Sequence, residues 1–127
     1  MTAESIEYFP VPGGQNLPFS EAVRVGPMLY LAGQIGTGAD GNVVKGGIEP
    51  ETKQALENIK TVLERHNSSL DNVVKCTAML ADMNEWATMN GIYTKYFTKN
   101  LPARSAFGTT GLARNARIEL ECWATTK

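Results

Sequence analysis

The sequence has no long hydrophobic run and no segment that would direct the protein to a membrane. No stretch approaches the roughly 20 apolar residues that a membrane-spanning helix requires. The first residues, Met-Thr-Ala-Glu, lack the basic and apolar regions of a signal peptide. We therefore expect no membrane contact and a cytoplasmic location.

Basic residues are not in excess either. The formal net charge is −1 and the isoelectric point is about 5.8, whereas domains that bind nucleic acids are usually basic. Arg114 and Arg117 form at most a local basic pair. A nucleic-acid partner is therefore not expected.

Histidine and cysteine are scarce. The spacing of the two cysteines, Cys76 and Cys122, fits neither a CxxC motif nor a zinc site. Both lie in apolar runs typical of strands, so we expect two buried free thiols in a reducing compartment. The single histidine, His66, falls where a helix should end, so we interpret it as a helix-end residue rather than a catalytic one.

The apolar pattern predicts six strands and two helices in one domain over residues 1–127. The order is β-β-β-α-β-α-β-β, with Gly26-Pro27 as the turn of a hairpin. We expect Asp82 and Glu85 to form a capping box at the second helix. The predicted ranges are strands at 5–9, 22–25 and 28–32, a helix at 49–66, a strand at 73–83, a helix from Asp82 to about residue 97, and strands at 105–109 and 117–125, with a further short strand at 42–45 in a glycine-rich loop.

These elements predict an α+β domain with one mixed sheet and both helices on one face. The helical stripe from Trp86 to Tyr96 is expected to pack in the core. Since the strands alternate, the second face of the sheet also presents apolar residues, and a wide bare apolar face is a liability. The pattern therefore indicates that a partner subunit covers this face.

Arg104 is the most informative residue for function. It stands in Pro102-Ala103-Arg104-Ser105, at the start of a short apolar strand. A guanidinium can bind a carboxylate or phosphate through two parallel hydrogen bonds. The alternative is a surface arginine whose stem packs on the sheet while its head group stays in water.

Several short segments together resemble the RidA family, also called YjgF/YER057c/UK114, over nearly the whole chain. Each segment is weak alone, but the Pro-Ala-Arg-Ser tetrapeptide followed by the Ile-Glu-Leu-Glu strand is specific. The segments are Leu29–Ile35, Ala55–Ile59, Val74–Thr77, Met89–Tyr93, Pro102–Ser105 and Arg117–Glu121.

The resemblance implies a chorismate-mutase-like fold and a homotrimer in which three sheets form a central barrel with ligand clefts between neighbouring subunits. It also implies an enzyme, an enamine/imine deaminase. This enzyme hydrolyses small 2-imino acids of the 2-aminoacrylate type to 2-keto acids and ammonia, without a metal or organic cofactor. A homotrimer agrees with the uncovered sheet face inferred above.

The resemblance also implies roles for individual residues. Arg104 would hold the substrate carboxylate, aided by the backbone N–H of Gly33, and Asn90 would line the cleft. Glu119 would orient the attacking water together with the main-chain carbonyl of Ala106. Since side chains alternate along a strand, Glu119 and Glu121 should share a face.

Two positions depart from the family pattern. Phe19 stands where the family commonly has tyrosine, and Ala106 where it commonly has cysteine. The main-chain carbonyl of residue 106 does not depend on the thiol, so these changes put substrate preference in doubt more than the type of reaction.

Other functions remain open from the sequence. A non-catalytic trimer that binds small carboxylates is the main alternative, since the thiol and the tyrosine hydroxyl are both missing. A ribonuclease or translation inhibitor, names often attached to the family, fits poorly with one histidine and an acidic isoelectric point. A chorismate mutase rests on fold analogy alone.

Overall fold

A computed structural model describes residues 5–13 and 16–126, which form one six-stranded sheet and two helices. The sheet order is β1-β2-β3-β6-β4-β5, and only the β4–β5 pair is parallel. The elements are β1 (Ile6–Pro10), β2 (Ser20–Val25), β3 (Met28–Leu31), α1 (Ile48–Arg65), β4 (Val73–Leu80), α2 (Trp86–Tyr96), β5 (Ala103–Gly108) and β6 (Ile118–Thr125). The predicted element order and the mixed sheet are confirmed.

Both helices cover one face of the sheet, as predicted. Alternate side chains of the central strands point toward them, for example Cys76, Ala78 and Leu80 on β4, and all three are fully buried. The apolar stripe of α1, from Ala55 to Leu63, fills the space between helix and sheet. The hydrophobic core therefore lies between the helices and this face.

The second face, which we call the open face, carries a row of side chains that crosses five strands. Tyr8, Val23, Tyr30, Trp123 and Lys75 are register partners from β1 through β2, β3 and β6 to β4. The rings of Tyr30 and Trp123 meet edge to face at 5.1 Å, and the Lys75 ammonium lies 5.4 Å from the Trp123 ring centre. Tyr8 is 66% exposed, so the chain leaves an aromatic surface uncovered.

The start of α1 follows the rules for helix N-termini. Gly47 precedes it with a positive φ of 91°, and Pro50 lies in the first turn, where a missing N–H costs nothing. Glu51 is buried, and its Oε1 accepts a hydrogen bond of 2.7 Å from the backbone N–H of Arg117. This bond ties the helix to the residue that precedes β6.

The start of α2 differs from the predicted capping box. Asp82 does cap a short 3₁₀ turn, because its side chain accepts a hydrogen bond from the Asn84 N–H at 2.9 Å. Glu85 does not return to the backbone; its Oε1 accepts from the Arg117 Nε at 2.8 Å. A positively charged guanidinium within reach forms a stronger hydrogen bond to a carboxylate than a neutral backbone N–H does.

The prediction of two free thiols is wrong. Cys76 and Cys122 are register partners on the antiparallel strands β4 and β6, and they form a disulfide with a Cα–Cα distance of 4.1 Å. Spacing motifs describe cysteines that are close in sequence, whereas these two are 46 residues apart and are brought together by strand pairing. Both remain buried, as expected.

Two strand predictions also need correction. The segment 42–45 forms only an isolated bridge, between Val43 and Thr37, because its neighbouring glycines favour turns over a ladder. Strand β4 ends at Leu80 rather than at Met83, since the Asp82 cap begins a new turn there. In the described part of the chain, no helix is long and apolar enough to cross a membrane.

Candidate active site

Arg104 lies in the edge strand β5 and points to the helix face, toward α2. It is the register partner of Cys76, whose side chain is on that face. The Arg104 Cζ lies 4.7 Å from the ring centre of Tyr93 and 6.0 Å from that of Trp86. Its Nη1 is 3.9 Å from the Met89 sulfur. The guanidinium is therefore partly buried against aromatic and thioether groups rather than fully hydrated.

Arg104 differs from the other arginines in its partners. Arg24 pairs with Glu7, Arg65 with Glu21, Arg117 with Glu85, and Arg114 donates to the Gly41 carbonyl. Within residues 5–13 and 16–126, Arg104 has no oxygen atom as a hydrogen-bond acceptor. Its N–H donors are thus available to an anion from outside the chain.

Asn90 and Ala106 belong to the two elements on either side of the Arg104 guanidinium, helix α2 and strand β5. Asn90 follows Met89 on α2, and its Oδ1 is buried without a hydrogen-bond partner among the described residues. Ala106 is two residues beyond Arg104 on β5 and therefore on the same face. We call Asn90, Arg104 and Ala106 the arginine half-site.

Glu119 lies on the open face. It pairs in register with Met79 on β4, and Glu121 pairs with Thr77, so both glutamates share that face as predicted. A Cβ on Gly33 would overlap with Glu119 Oε2, so the carboxylate rests directly against the Gly33 backbone. Only glycine permits this approach.

Glu119 is held in a setting that disfavours its charge. Burial raises the pKa of its carboxyl above the usual value, and the like charge of Glu121 raises it further. A carboxyl with a raised pKa is better suited to accept and return a proton near neutral pH.

Phe19 and Gly33 line an open cavity of about 890 Å³ on the side of the sheet near β2 and β3. Phe19 is 53% exposed, so its ring is available to a ligand or a second chain. We call Gly33 and Glu119 the glutamate half-site, and Phe19 shares the cavity lining with Gly33. Other residues that line the cavity are Leu17, Ile35, Asn58, Arg65 and Arg114.

The two half-sites do not meet within one chain. Arg104 and Glu119 leave the sheet on opposite faces, because Arg104 shares a face with Cys76 and Cys122, and Glu119 is an odd number of residues from Cys122. One small molecule therefore cannot touch both side chains of the same chain. The residues predicted to form one site are therefore divided, with Arg104 and Ala106 on the helix face and Glu119 against Gly33 on the other side of the sheet.

Sequence reasoning missed two sets of contacts. The stripe residues Met89 and Tyr93 are buried, as predicted for core residues, whereas Trp86 at the start of the stripe is 43% exposed, so that part of the prediction is wrong. All three also lie against Arg104. The hint was their spacing, since Tyr93 lies one helical turn beyond both Met89 and Asn90.

The second missed set is a buried ionic cluster at the end of α1. Glu21 is 4% exposed and accepts hydrogen bonds from Arg65 Nη2 at 2.7 Å and Nε at 3.1 Å. His66 Nε2 lies 2.8 Å from the same carboxylate, and the His66 ring stacks on Phe9 at 4.2 Å. His66 does end the helix, as predicted. We call Glu21, Arg65 and His66 the helix-end cluster.

No group of three or more histidine, cysteine, aspartate and glutamate side chains within the described ranges is arranged to hold a metal ion.

Comparison with known proteins places this geometry in a family. The family model described as Endoribonuclease L-PSP matches residues 14–126. The chain is 44% identical over 108 residues to 2-iminobutanoate/2-iminopropanoate deaminase of Mus musculus, which covers 84% of this chain and 80% of the relative. The protein of the same name in Homo sapiens is also 44% identical, over 84% of this chain and 79% of the relative.

A solved structure gives the same result. A protein of the conserved Rid family, YyfA from Yersinia pestis, superposes with a TM-score of 0.87 and 32% identity. The match covers 96% of this chain and 100% of that protein.

Proposed function

The chain belongs to the endoribonuclease L-PSP family, the RidA/YjgF family, and from this premise we propose that it is an imine deaminase. Its substrates would be small 2-imino acids, which it hydrolyses to 2-keto acids and ammonia. Two relatives at 44% identity carry the name 2-iminobutanoate/2-iminopropanoate deaminase, which supports this reaction.

The observation that best supports the proposal is the guanidinium of Arg104 without an acidic partner in the described chain. It lies against Tyr93 and Met89, where water is partly excluded. A hydrogen bond to a charged group contributes about 1.5–3 kcal/mol, and more geometric control when two form in parallel. A 2-imino acid carries a carboxylate next to its reacting carbon, so this bond would fix the carbon in place.

The reaction needs a water molecule and a proton carrier. The imine reacts in its protonated form, with two hydrogens on nitrogen. Glu119 takes a proton from water as the water oxygen attacks the imine carbon, and the C=N electron pair moves to nitrogen, which gives a carbinolamine. The same carboxyl then gives this proton to the amine. When the C–N bond breaks, the hydroxyl proton passes to the Glu119 carboxylate, so ammonia leaves, the carbonyl of the 2-keto acid forms, and ammonia or water takes up the last proton. The Ala106 carbonyl would help to hold the water, and Asn90 would line the cleft.

We infer that the active site is built from two chains. Arg104 and Glu119 lie on opposite faces of the sheet, so one substrate reaches both only if a neighbouring copy supplies one of them. The exposed aromatic row of the open face, including Tyr8 and Trp123, supplies a surface for that copy. The family resemblance favours a homotrimer with three such clefts.

Phe19 and Ala106 would tune the substrate preference. Phe19 makes the wall near Gly33 more apolar than a tyrosine would. Ala106 leaves room where a thiol would lie. We expect a preference for substrates with an alkyl side chain over those with a hydroxyl.

The decisive assay measures imine hydrolysis directly. 2-Iminopropanoate and 2-iminobutanoate are generated by an amino acid oxidase, and their disappearance is followed with and without the protein. Arg104→Ala should lower kcat/KM about 10- to 150-fold, because the substrate carboxylate loses its charged partner. Arg24→Ala, which removes an exposed arginine paired with Glu7, is the matched control and should stay within about threefold.

Two other results would change the proposal. Equal rates in Arg104→Ala and wild type would refute the role of Arg104. Binding of 2-oxobutanoate to wild-type protein without any imine hydrolysis would select the non-catalytic binding protein instead.

Mixing two inactive variants tests the two-chain site. Arg104→Ala chains keep Glu119, and Glu119→Gln chains keep Arg104, so a mixed oligomer contains clefts with both intact residues. If the two kinds of chain mix randomly in equal amounts, each cleft has about a one-in-two chance of an intact Arg104 and the same chance of an intact Glu119. About a quarter of the wild-type activity should therefore return. If co-expressed variants stay as inactive as each alone while mixed oligomers form, the two residues belong to one chain's site or to separate sites.

A further inference from the structure

We propose that Tyr93 is a positioning residue that fixes the Arg104 guanidinium for substrate binding. The proposal rests on the function proposed above and names a residue that neither the sequence motifs nor the family names assign to the site. Tyr93 lies on α2, and its ring centre is 4.7 Å from Arg104 Cζ.

The contact is of a kind that leaves Arg104 free to bind an anion. A cation over an aromatic ring is attracted through the ring face. The N–H donors of a guanidinium lie in its own plane, at the edge. A carboxylate partner, such as Glu21 for Arg65, occupies those edge donors. An aromatic partner holds the charge in place and keeps the donors available.

The ring of Tyr93 is itself immobilised. Tyr93 is 4% exposed, and its ring packs on the buried ring of Phe97 with a centroid distance of 4.7 Å. Met89, which is fully buried, places its sulfur 3.9 Å from Arg104 Nη1 on the adjacent turn. The arginine therefore rests on a rigid surface of α2 rather than on a mobile side chain.

The hydroxyl of Tyr93 is not the group that positions Arg104. Its oxygen is buried with no hydrogen-bond partner among the described residues. Burial raises the pKa of the hydroxyl, and the nearby charge of Arg104 only partly opposes this, so the group stays neutral. The aromatic ring is thus the part of Tyr93 that serves Arg104, and phenylalanine should replace it.

This assignment gives a matched pair of variants. Tyr93→Phe keeps the ring and should lose less than about threefold in affinity for 2-oxobutanoate, measured by calorimetry on the assembled protein. Tyr93→Leu removes the ring and should weaken that affinity about tenfold, the effect expected for one partly desolvated cation–π contact. Tyr93→Met is the substitute if the leucine variant does not fold, which a thermal melt decides.

A spectroscopic measurement tests the contact without any substrate. The ring current of Tyr93 should shift the Arg104 side-chain proton resonances upfield in wild-type protein and in Tyr93→Phe, and the shift should disappear in Tyr93→Leu or Tyr93→Met. Wild-type resonances at ordinary positions would overturn the proposal.

The outcomes separate this proposal from the proposed function. If Tyr93→Leu binds 2-oxobutanoate as tightly as wild type while wild type hydrolyses imines, Tyr93 is not a positioning residue and the deaminase stands. If wild type neither binds 2-oxobutanoate nor hydrolyses imines, the proposed function fails, and with it the role of Tyr93 in substrate binding, whatever the resonances show.

Discussion

Glu21 is buried and Glu119 is partly buried, and the protein surrounds the two side chains in opposite ways. Glu21, in the helix-end cluster, receives hydrogen bonds from Arg65 and His66. Glu119, in the glutamate half-site, lies against the Gly33 backbone, and its charged neighbour on the face is another carboxylate, Glu121.

The difference appears in the direction of the pKa shifts. Burial alone would raise the pKa of Glu21, but the hydrogen bonds and charges of Arg65 and His66 lower it below its usual value. Burial raises the pKa of Glu119, and Glu121 adds to the rise. A carboxylate that is fully paired stabilises the fold, whereas one that is poorly paired costs stability and remains able to exchange a proton.

The two arginines repeat the contrast. Arg65 is engaged by a carboxylate of its own chain, and Arg104 is engaged by aromatic rings that leave its donors open. This contrast is consistent with the proposed function, in which the helix-end cluster stabilises the fold and the two half-sites bind the substrate.

The largest expected effect on activity comes from replacing Glu119, the poorly paired carboxylate of the two. Glu119→Gln should lower kcat at least about 100-fold, because an amide cannot accept the water proton. The folded protein should be as stable as wild type or more stable at pH 7. A raised pKa means that the ionised form destabilises the fold above that pKa, and the amide removes this cost.

Turnover and thermal unfolding of the same sample check this prediction. Activity within threefold of wild type would show that Glu119 does not carry the proton, whatever its pKa.

A smaller effect is expected from a methyl group on Gly33. Gly33→Ala places a Cβ where Glu119 Oε2 lies, so the carboxylate must move. We expect kcat/KM to fall about tenfold, since small displacements of a catalytic group are costly.

Gly91→Ala is the control, because a Cβ there meets nothing within 4 Å. It should stabilise α2 by about 0.5–1 kcal/mol and leave kcat/KM unchanged. Equal kinetics of the two variants would contradict the placement of Glu119.

The smallest effect on activity is expected at Glu21. Glu21→Gln should lower the free energy of unfolding by about 1–3 kcal/mol at pH 7, because a buried, charged acceptor of hydrogen bonds from Arg65 and His66 becomes a neutral amide. Turnover per folded molecule should stay within about threefold. Urea unfolding and the imine assay measure the two quantities.

The stability loss should also depend on pH. The folded pKa of Glu21 is lowered, so its contribution is complete above the ordinary glutamate value of 4.5 and disappears as the pH falls through the folded pKa. Wild type and Glu21→Gln should therefore converge in stability at acidic pH. Glu7→Gln, at an exposed pair with Arg24, controls for a general charge effect and should change stability little. Convergence in both variants or in neither would argue against the pairing at Glu21.

Much of the fold follows from local patterns. The stripe of α1 and the Gly26-Pro27 turn are short-range signals, and the structure has both elements where the pattern predicts them. The shared face of Glu119 and Glu121 follows from strand alternation alone.

Contacts between distant segments could not be predicted in this way. The disulfide depends on the register of β4 against β6, and the partner of Glu85 depends on where Arg117 arrives. Predicting that Arg104 and Glu119 lie on opposite faces also requires the strand registers. Alternation along one strand shows which of its residues share a face, but it does not relate them to a residue on another strand. For that reason the sequence indicates six site residues but not their division into two groups.

The Cys76–Cys122 disulfide turns part of the polypeptide into a covalent ring. Asn90, Arg104, Ala106 and Glu119 lie inside that ring, while Phe19 and Gly33 belong to the linear segment before it. A protease that cuts once within the ring leaves a molecule in one piece, and the fragments separate on a gel only after a reducing agent is added. The four residues thus remain tethered to one another even when the backbone between them is broken.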